Sequence, residues 1–411
     1  MSSAQSSSSG PNSDGLHWPP SSPSVSSSAG SKRMHSDDDG HDKSGRKKRT
    51  KREDPWGGWG RAAARVIDAF SPVNLMVHYY HQVLSGEKMY DTLSTRQKRY
   101  YESYLALQKH IPTFAAEITN KSEEELSARI KEMDHCQNSA RNSDTNVIKK
   151  AIVSMVRVLY PEEVHALQDV DGEIKTNRGF KNIIFGRLLC PVNMDWANPE
   201  TQSSLIATPG LCSTAAWPMF FYPKGQFDPN DLAKGLLRGE LLVWVYKYIF
   251  LAPSAWHPNK HSDESKIFST GNASLHKLYN VTPRSLAYVA THVRFALSSS
   301  EINRKNGGSF KTGDFFWHVM DYLEDPDFAE DVKGLLEWWD TQIFPENQEK
   351  SAGTNEACDS RSLMKKQAAE RAKALADRTN QSTENAETSD KDVSANQEKE
   401  PTSGEQDKEN Q

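Results

Sequence analysis

"VTPRSLAYVATHVRFALSS", residues 281–299, carries a complete helix with its start signals intact. Thr282 offers a side-chain oxygen to the first-turn amides, and Pro283 at the first helical position gives up no hydrogen bond. Val281 can staple onto Leu286. Leu286, Val289, Ala290, Val293 and Leu297 then recur at helical spacing and make one apolar stripe. Val293 is predicted to face the core. His292, about 100° further round the helix, is expected to face solvent.

The same punctuation recurs outward from this stretch. Pro72 and Gly86 bracket 71–86, with Ser71 predicted as N-cap, and Pro112 ends a Tyr-rich helix over 94–112. Ser122 and Glu125 form a capping box that opens a helix over 122–133. A separate helix over 146–161 is apolar almost all round, so it is expected to be central. Further helices are predicted over 179–191, 231–250, 312–325 and 325–345. Between 192 and 231 five prolines interrupt large aromatics, which reads as an ordered irregular segment. No alternating strand pattern and no internal repeat is visible. The fold class is therefore mostly α: one multihelical core domain over 55–345, with an irregular Pro/aromatic-rich middle.

Composition separates the ends from this core. Residues 1–31 contain fourteen serines and few large apolar groups, and residues 346–411 are polar, with no aromatic after Phe344. Such segments cannot bury enough surface to offset ordering entropy, so both are read as disordered, with a short helix allowed at 361–377. Residues 1–54 carry nine Lys/Arg against seven Asp/Glu, and 346–411 carry ten against fifteen. That leaves 31 basic against 33 acidic side chains for the core, without the positive surplus usual in a nucleic-acid-binding domain. Cys136, Cys190, Cys212 and Cys358 are too far apart for a zinc or thioredoxin motif and are read as reduced thiols. The longest apolar run, 241–252, is too short to span a bilayer and is broken by Lys247, so no membrane association is expected.

Successive blocks in the second half, "GRLLCPVNMDW", "LLRGELLVWVYKYIFLAPSAW", the helix at 281–299, "FFWHVMDYLEDPDF" and "LLEWWDTQIFP", resemble a domain family of mushroom-forming basidiomycete fungi. The likeness runs over roughly 145–345. It implies a fungal source and a domain of unknown function, and carries over no fold, activity or site residue.

Seven cations within ten residues, Lys43, Arg46, Lys47, Lys48, Arg49, Lys51 and Arg52, form the one dense basic cluster. It reads as a nuclear import signal, with an import receptor as partner and the nucleus as compartment. Direct nucleic-acid contact is the alternative. "SDDDGHD" before the cluster and Glu53-Asp54 after it lie within a Debye length of about 8 Å and cancel much of its pull on phosphate. Ser36, followed by three aspartates, is a candidate phosphorylation site that would deepen the cancellation.

Other constellations fall short of a site. Asp327, Asp331 and Lys333 mimic a nuclease pattern, but all sit in the first turns of one helix, where acids suit the macrodipole. "QDVDGE" (168–173) fails as a calcium loop, since Leu167 and Arg178 stand where acidic ligands are required, and it is read as a turn. His78 and His81 lack a third ligand at recognisable spacing, and adjacent His135 and Cys136 point apart. Phe315, Phe316, Trp317, Phe328, Trp338 and Trp339 are surrounded by carboxylates, which suits packing better than base stacking. No catalytic, metal or cofactor-binding residue is assigned. The expected function is a nuclear, non-enzymatic helical interaction module with an unidentified protein partner. The alternative is a nucleic-acid-processing or mobile-element-associated protein whose site is assembled from residues distant in sequence.

Overall fold

The computed structural model describes residues 55–258, 271–300 and 310–345, with Met364, Gln367, Ala368 and Arg371 beyond them as helical positions. The basic cluster from Lys43 to Arg52, Ser36 and Cys358 lie outside the described residues. So does most of the 361–377 helix. The described residues are mostly helical, and the only extended pairing among them is one antiparallel bridge between Pro191 and Pro218.

The helix quoted first, α10 (Pro283–Leu297), lies at the centre. The Thr282 hydroxyl accepts from the Ser285 amide, the Ser285 hydroxyl accepts from the Thr282 amide in return, and Pro283 opens the first turn. Leu286, Val289, Ala290, Val293 and Leu297 are all fully buried, as the stripe requires. The expectation that His292 faces water is overturned. Every residue from Ser285 to Leu297 is buried, because other elements cover the polar side of α10 as well.

One covering element is α5 (Glu123–Leu159), a single helix of 37 residues. Ser122 caps it by accepting from the Glu125 amide, so only the Ser122 half of the predicted capping box forms. The predicted break between 133 and 146 is absent, since no Gly or Pro interrupts that stretch. Its inward positions, Ile130, Met133, Gln137, Ala140, Asp144 and Ile148, follow one another at steps of three or four. Gln137 holds the Asp68 carbonyl at 2.5 Å and the Ser71 carbonyl at 3.1 Å, so a polar side chain takes an apolar residue's place on that stripe.

Against α5 packs α1 (Pro55–Ala62), which continues as a π-helical turn over Ala63–Ile67. Gly60 permits the approach, since a Cβ there would collide with the Met133 backbone. Asp68 then turns the chain by accepting the Phe70 and Ser71 amides, leaving Pro72 rather than Ser71 as N-cap of α2 (Val73–Leu84). The chain returns along α3 (Thr95–His110), capped reciprocally by Ser94 and Gln97, and then through α4 (Phe114–Thr119).

The middle of the chain is irregular, as expected, but well buried. After α6 (Ile183–Leu189), Trp196 lies on Gly186, and α7 (Pro199–Ala207) interrupts the turns. The helix predicted over 231–250 is shorter. Residues 231–239 form turns, α8 covers Glu240–Tyr246, and a π-helical turn follows over Lys247–Leu251. A single turn, α9 (Asn272–Leu275), precedes α10, and α11 (Thr312–Leu323) and α12 (Ala329–Ile343) complete the described domain. Phe315, Phe316, Trp317 and Trp339 are core residues, while Phe328 lies exposed against Tyr322.

Candidate functional site

Two polar or aromatic groupings stand out, one sealed and one open. The sealed one begins in the π-helical turn after α1. Arg65 forks onto Asp144 of α5, with Nε at 2.8 Å from Oδ2 and Nη2 at 2.9 Å from Oδ1. The Tyr288 hydroxyl of α10 donates to the same Asp144 Oδ2 at 2.7 Å. Arg65 Nη1 lies 3.2 Å from His276 Nε2, which must be unprotonated to accept. Next to Tyr288 on the same helix face, His292 packs edge-on to its ring, with Nδ1 at 3.4 Å from the Thr145 hydroxyl.

Burial and charge set the ionisation of this group. Burial works against the Arg65 charge, but the hydrogen bond and charge of Asp144 outweigh it and raise its pKa. Burial, and then the Asp144 charge, push Tyr288 well above a normal phenol. Burial, with Arg65 alongside, lowers His276 to about 3. Burial alone is the main cause that lowers His292 to about 4. The carboxylate is ion-paired and both imidazoles are neutral, so the network ties four segments together as a structural lock. None of these residues lines the surface pockets near Arg294, Tyr160, Trp338 or His78.

The open grouping is the α2–α3 hairpin. Tyr80 stacks on Tyr104 at 3.9 Å and on Tyr101 at 5.7 Å, Tyr79 stacks on Tyr100, and Tyr90 in the connection meets Tyr101. Lys88 lies over the Tyr79 ring and Lys98 over Tyr90. The Tyr90 hydroxyl donates to Glu102 Oε1 at 2.5 Å, and that bond pushes its pKa up to about 12. Leu84, Met89, Tyr90 and Leu105 are exposed on this hairpin, Leu84 by 67% and Met89 by 71%. The hairpin is anchored by Arg99, which forks onto Asp321 and covers the Trp317 ring.

The sequence candidates are not brought together. Asp327, Asp331 and Lys333 stay exposed at the start of α12, and the Asp327 amide bonds to the capping Asp325. The turn at 168–173 forms as predicted. Asp171 accepts two amides of its own loop, and Arg178 donates to the Asp171 and Gly172 carbonyls. His78 and His81 share a shallow groove with Gln82 and Glu87, and His135 is exposed beside half-buried Cys136. Among the described residues no group of three or more His, Cys, Asp or Glu could hold a metal ion, and no helix is long and apolar enough to cross a membrane. Sequence reading missed the Arg65–Asp144–Tyr288 network. Its one available signal was a charged residue on the inward stripe of α5.

A family model described as a family of unknown function (DUF6698) matches residues 135–344, just over half of the chain. The chain belongs to the DUF6698 family. The DUF6698 region opens inside α5 and takes in Asp144, Tyr288 and His292, whereas Arg65 and the whole α2–α3 hairpin precede it. No curated protein and no solved structure matches the chain.

Proposed function

We propose that this protein is a nuclear, non-enzymatic helical interaction module, from a basidiomycete fungus, that engages a protein partner through its α2–α3 hairpin. The observation that carries this reading is the separation of chemistry from surface. The Arg65–Asp144–Tyr288 cluster is buried and internally paired, while Leu84, Met89, Tyr90 and Leu105 are exposed together on one hairpin. Tyrosine and methionine, here Tyr90 and Met89, are among the residues enriched at protein interfaces. The basic cluster from Lys43 to Arg52, hemmed by carboxylates, supports delivery by an import receptor rather than a grip on phosphate. The quoted second-half blocks support the fungal assignment.

The test is affinity purification from nuclei with the full chain and with a Met89→Ser/Leu105→Ser variant, each with and without nuclease. A protein retained after nuclease and lost with the variant supports the reading. Capture that disappears with nuclease would favour a nucleic-acid-processing role instead. Alanine at Lys47, Lys48 and Arg49 in a fluorescent fusion is expected to shift signal to the cytoplasm, and an unchanged nuclear signal refutes the import assignment.

A further inference from the structure

Helical spacing puts the exposed apolar groups of the α2–α3 hairpin on one face. Leu84 lies one turn beyond Tyr80 on α2, and Leu105 lies one turn beyond Tyr101 on α3. Tyr80 stacks on Tyr101, so the two turns are joined at their tyrosines. Gln97, at the start of α3, donates to the Tyr79 hydroxyl late in α2, and Ser103 bonds to Asp68 ahead of α2, so the helices run antiparallel. The two exposed leucines therefore flank the tyrosine stack on opposite sides. Tyr90 covers Tyr101 from the connection, and its neighbour Met89 is exposed. A two-fold rotation about the stack carries the place of Leu84 close to that of Leu105. A face of this kind is self-complementary.

Charge points to the same partner. Arg99 is held by Asp321. From Tyr79 to Leu105 the remaining charges are Lys88, Arg96 and Lys98 against Glu87, Asp91 and Glu102, none of them in an ion pair among the described residues. The face is balanced in sign without being paired within itself, so a second copy meets no net repulsion and brings an equal number of opposite charges. Size sets the strength. At about 1.5 Å per residue the 16 residues of α3 run about 24 Å, and two helices side by side are about 20 Å across. Two such faces cover roughly 1,000 Å² in total, the lower end for a specific interface, so the association is reversible.

We propose, resting on the hairpin as the partner surface, that the protein it engages is a second copy of this chain, with Leu84 of one copy packed on Leu105 of the other at both ends of the tyrosine stack. Sedimentation velocity of the full chain tests this. The mass is expected to move from monomer towards dimer as concentration rises from about 1 to about 200 µM. Leu84→Ser removes a contact made twice and is expected to leave the chain monomeric over that range with its Tm unchanged, since Leu84 is exposed. Glu87→Lys/Asp91→Lys makes the hairpin basic and Lys88→Glu/Arg96→Glu makes it acidic. Each alone is expected to dimerise at least about tenfold more weakly, and an equal mixture of the two to recover the dimer. A wild-type chain that stays monomeric at every concentration overturns the proposal. So does a dimer that persists in Leu84→Ser and in both charge variants. If the wild type is monomeric but Met89→Ser/Leu105→Ser still loses a nuclear protein, the hairpin remains the partner surface and only its self-association is refuted.

Discussion

Acidification should unfold this protein well above the range where carboxylates titrate, and the two network histidines set the size of the effect. His276 is held near 3 and His292 near 4, whereas an unfolded imidazole titrates at about 6.5. Between those values the unfolded chain binds more protons than the folded one, so stability rises with pH and is lost as pH falls below about 6.5. The structural reason is specific at each site. Protonated His276 would turn a donor toward Arg65 Nη1, and protonated His292 would place a charge where Nε2 has no partner among the described residues. From pH 7 to pH 5 each histidine accounts for about 2 kcal/mol by linkage, or about 4 kcal/mol together. That is a large part of a typical domain's 5–15 kcal/mol. His110 and His318, also lowered by burial, act in the same direction, while Asp134 and Glu324, raised by burial, act against it. Urea denaturation of the full chain at pH 5, 6, 7 and 8, followed by tryptophan fluorescence, measures the slope. His276→Gln keeps an acceptor for Arg65 but cannot titrate, so it should roughly halve the loss. A stability that stays flat from pH 8 to 5, or a slope unaltered in His276→Gln, would refute the reasoning.

Asp144→Ala strands Arg65 and the Tyr288 hydroxyl in the core and should cost about 3–5 kcal/mol. In a urea cycle, Arg65→Met combined with Asp144→Leu should recover most of that loss, and additive losses would show that the pair is not coupled. Val293→Asp buries an unpaired carboxylate in a fully enclosed position and should leave too little folded protein for a cooperative melt; normal melting would sink the assignment of α10 as the central helix. Gly60→Ala drives a methyl group into the Met133 backbone and should lower stability by about 1–3 kcal/mol, whereas Gly58→Ala, with open space at its Cβ, should not destabilise.

Where residues carry their own local signals, the sequence was readable. Thr282–Pro283, Ser122 and the 286–297 stripe act through bonds and spacings within one helix, so they look the same before and after folding. The continuity of α5 was hidden because Gln137 and Asp144 occupy inward positions, and a polar residue there reads as a break until its partners are known. Those partners, Asp68, Ser71 and Arg65, lie 66 to 79 residues away. His292 was misplaced for a related reason. Periodicity tells which face of a helix is most apolar, and α10 buries both faces. The helix at Pro55–Ala62 was passed over because three glycines weaken its propensity, although Gly60 is what lets it approach α5.

The 37-residue span of α5, roughly 55 Å of continuous helix, bears on how the domain could be inherited or exchanged. Family similarity starts at residue 135, partway along that rod. A recombination event joining there would divide one cooperative helix and separate Asp144 from Arg65, its buried counter-ion. The unit that can be transplanted intact therefore begins no later than Pro55, some eighty residues before the recognisable family region. A buried acid at the position of Asp144 needs a partner, and in this chain its cation comes from upstream of the family region.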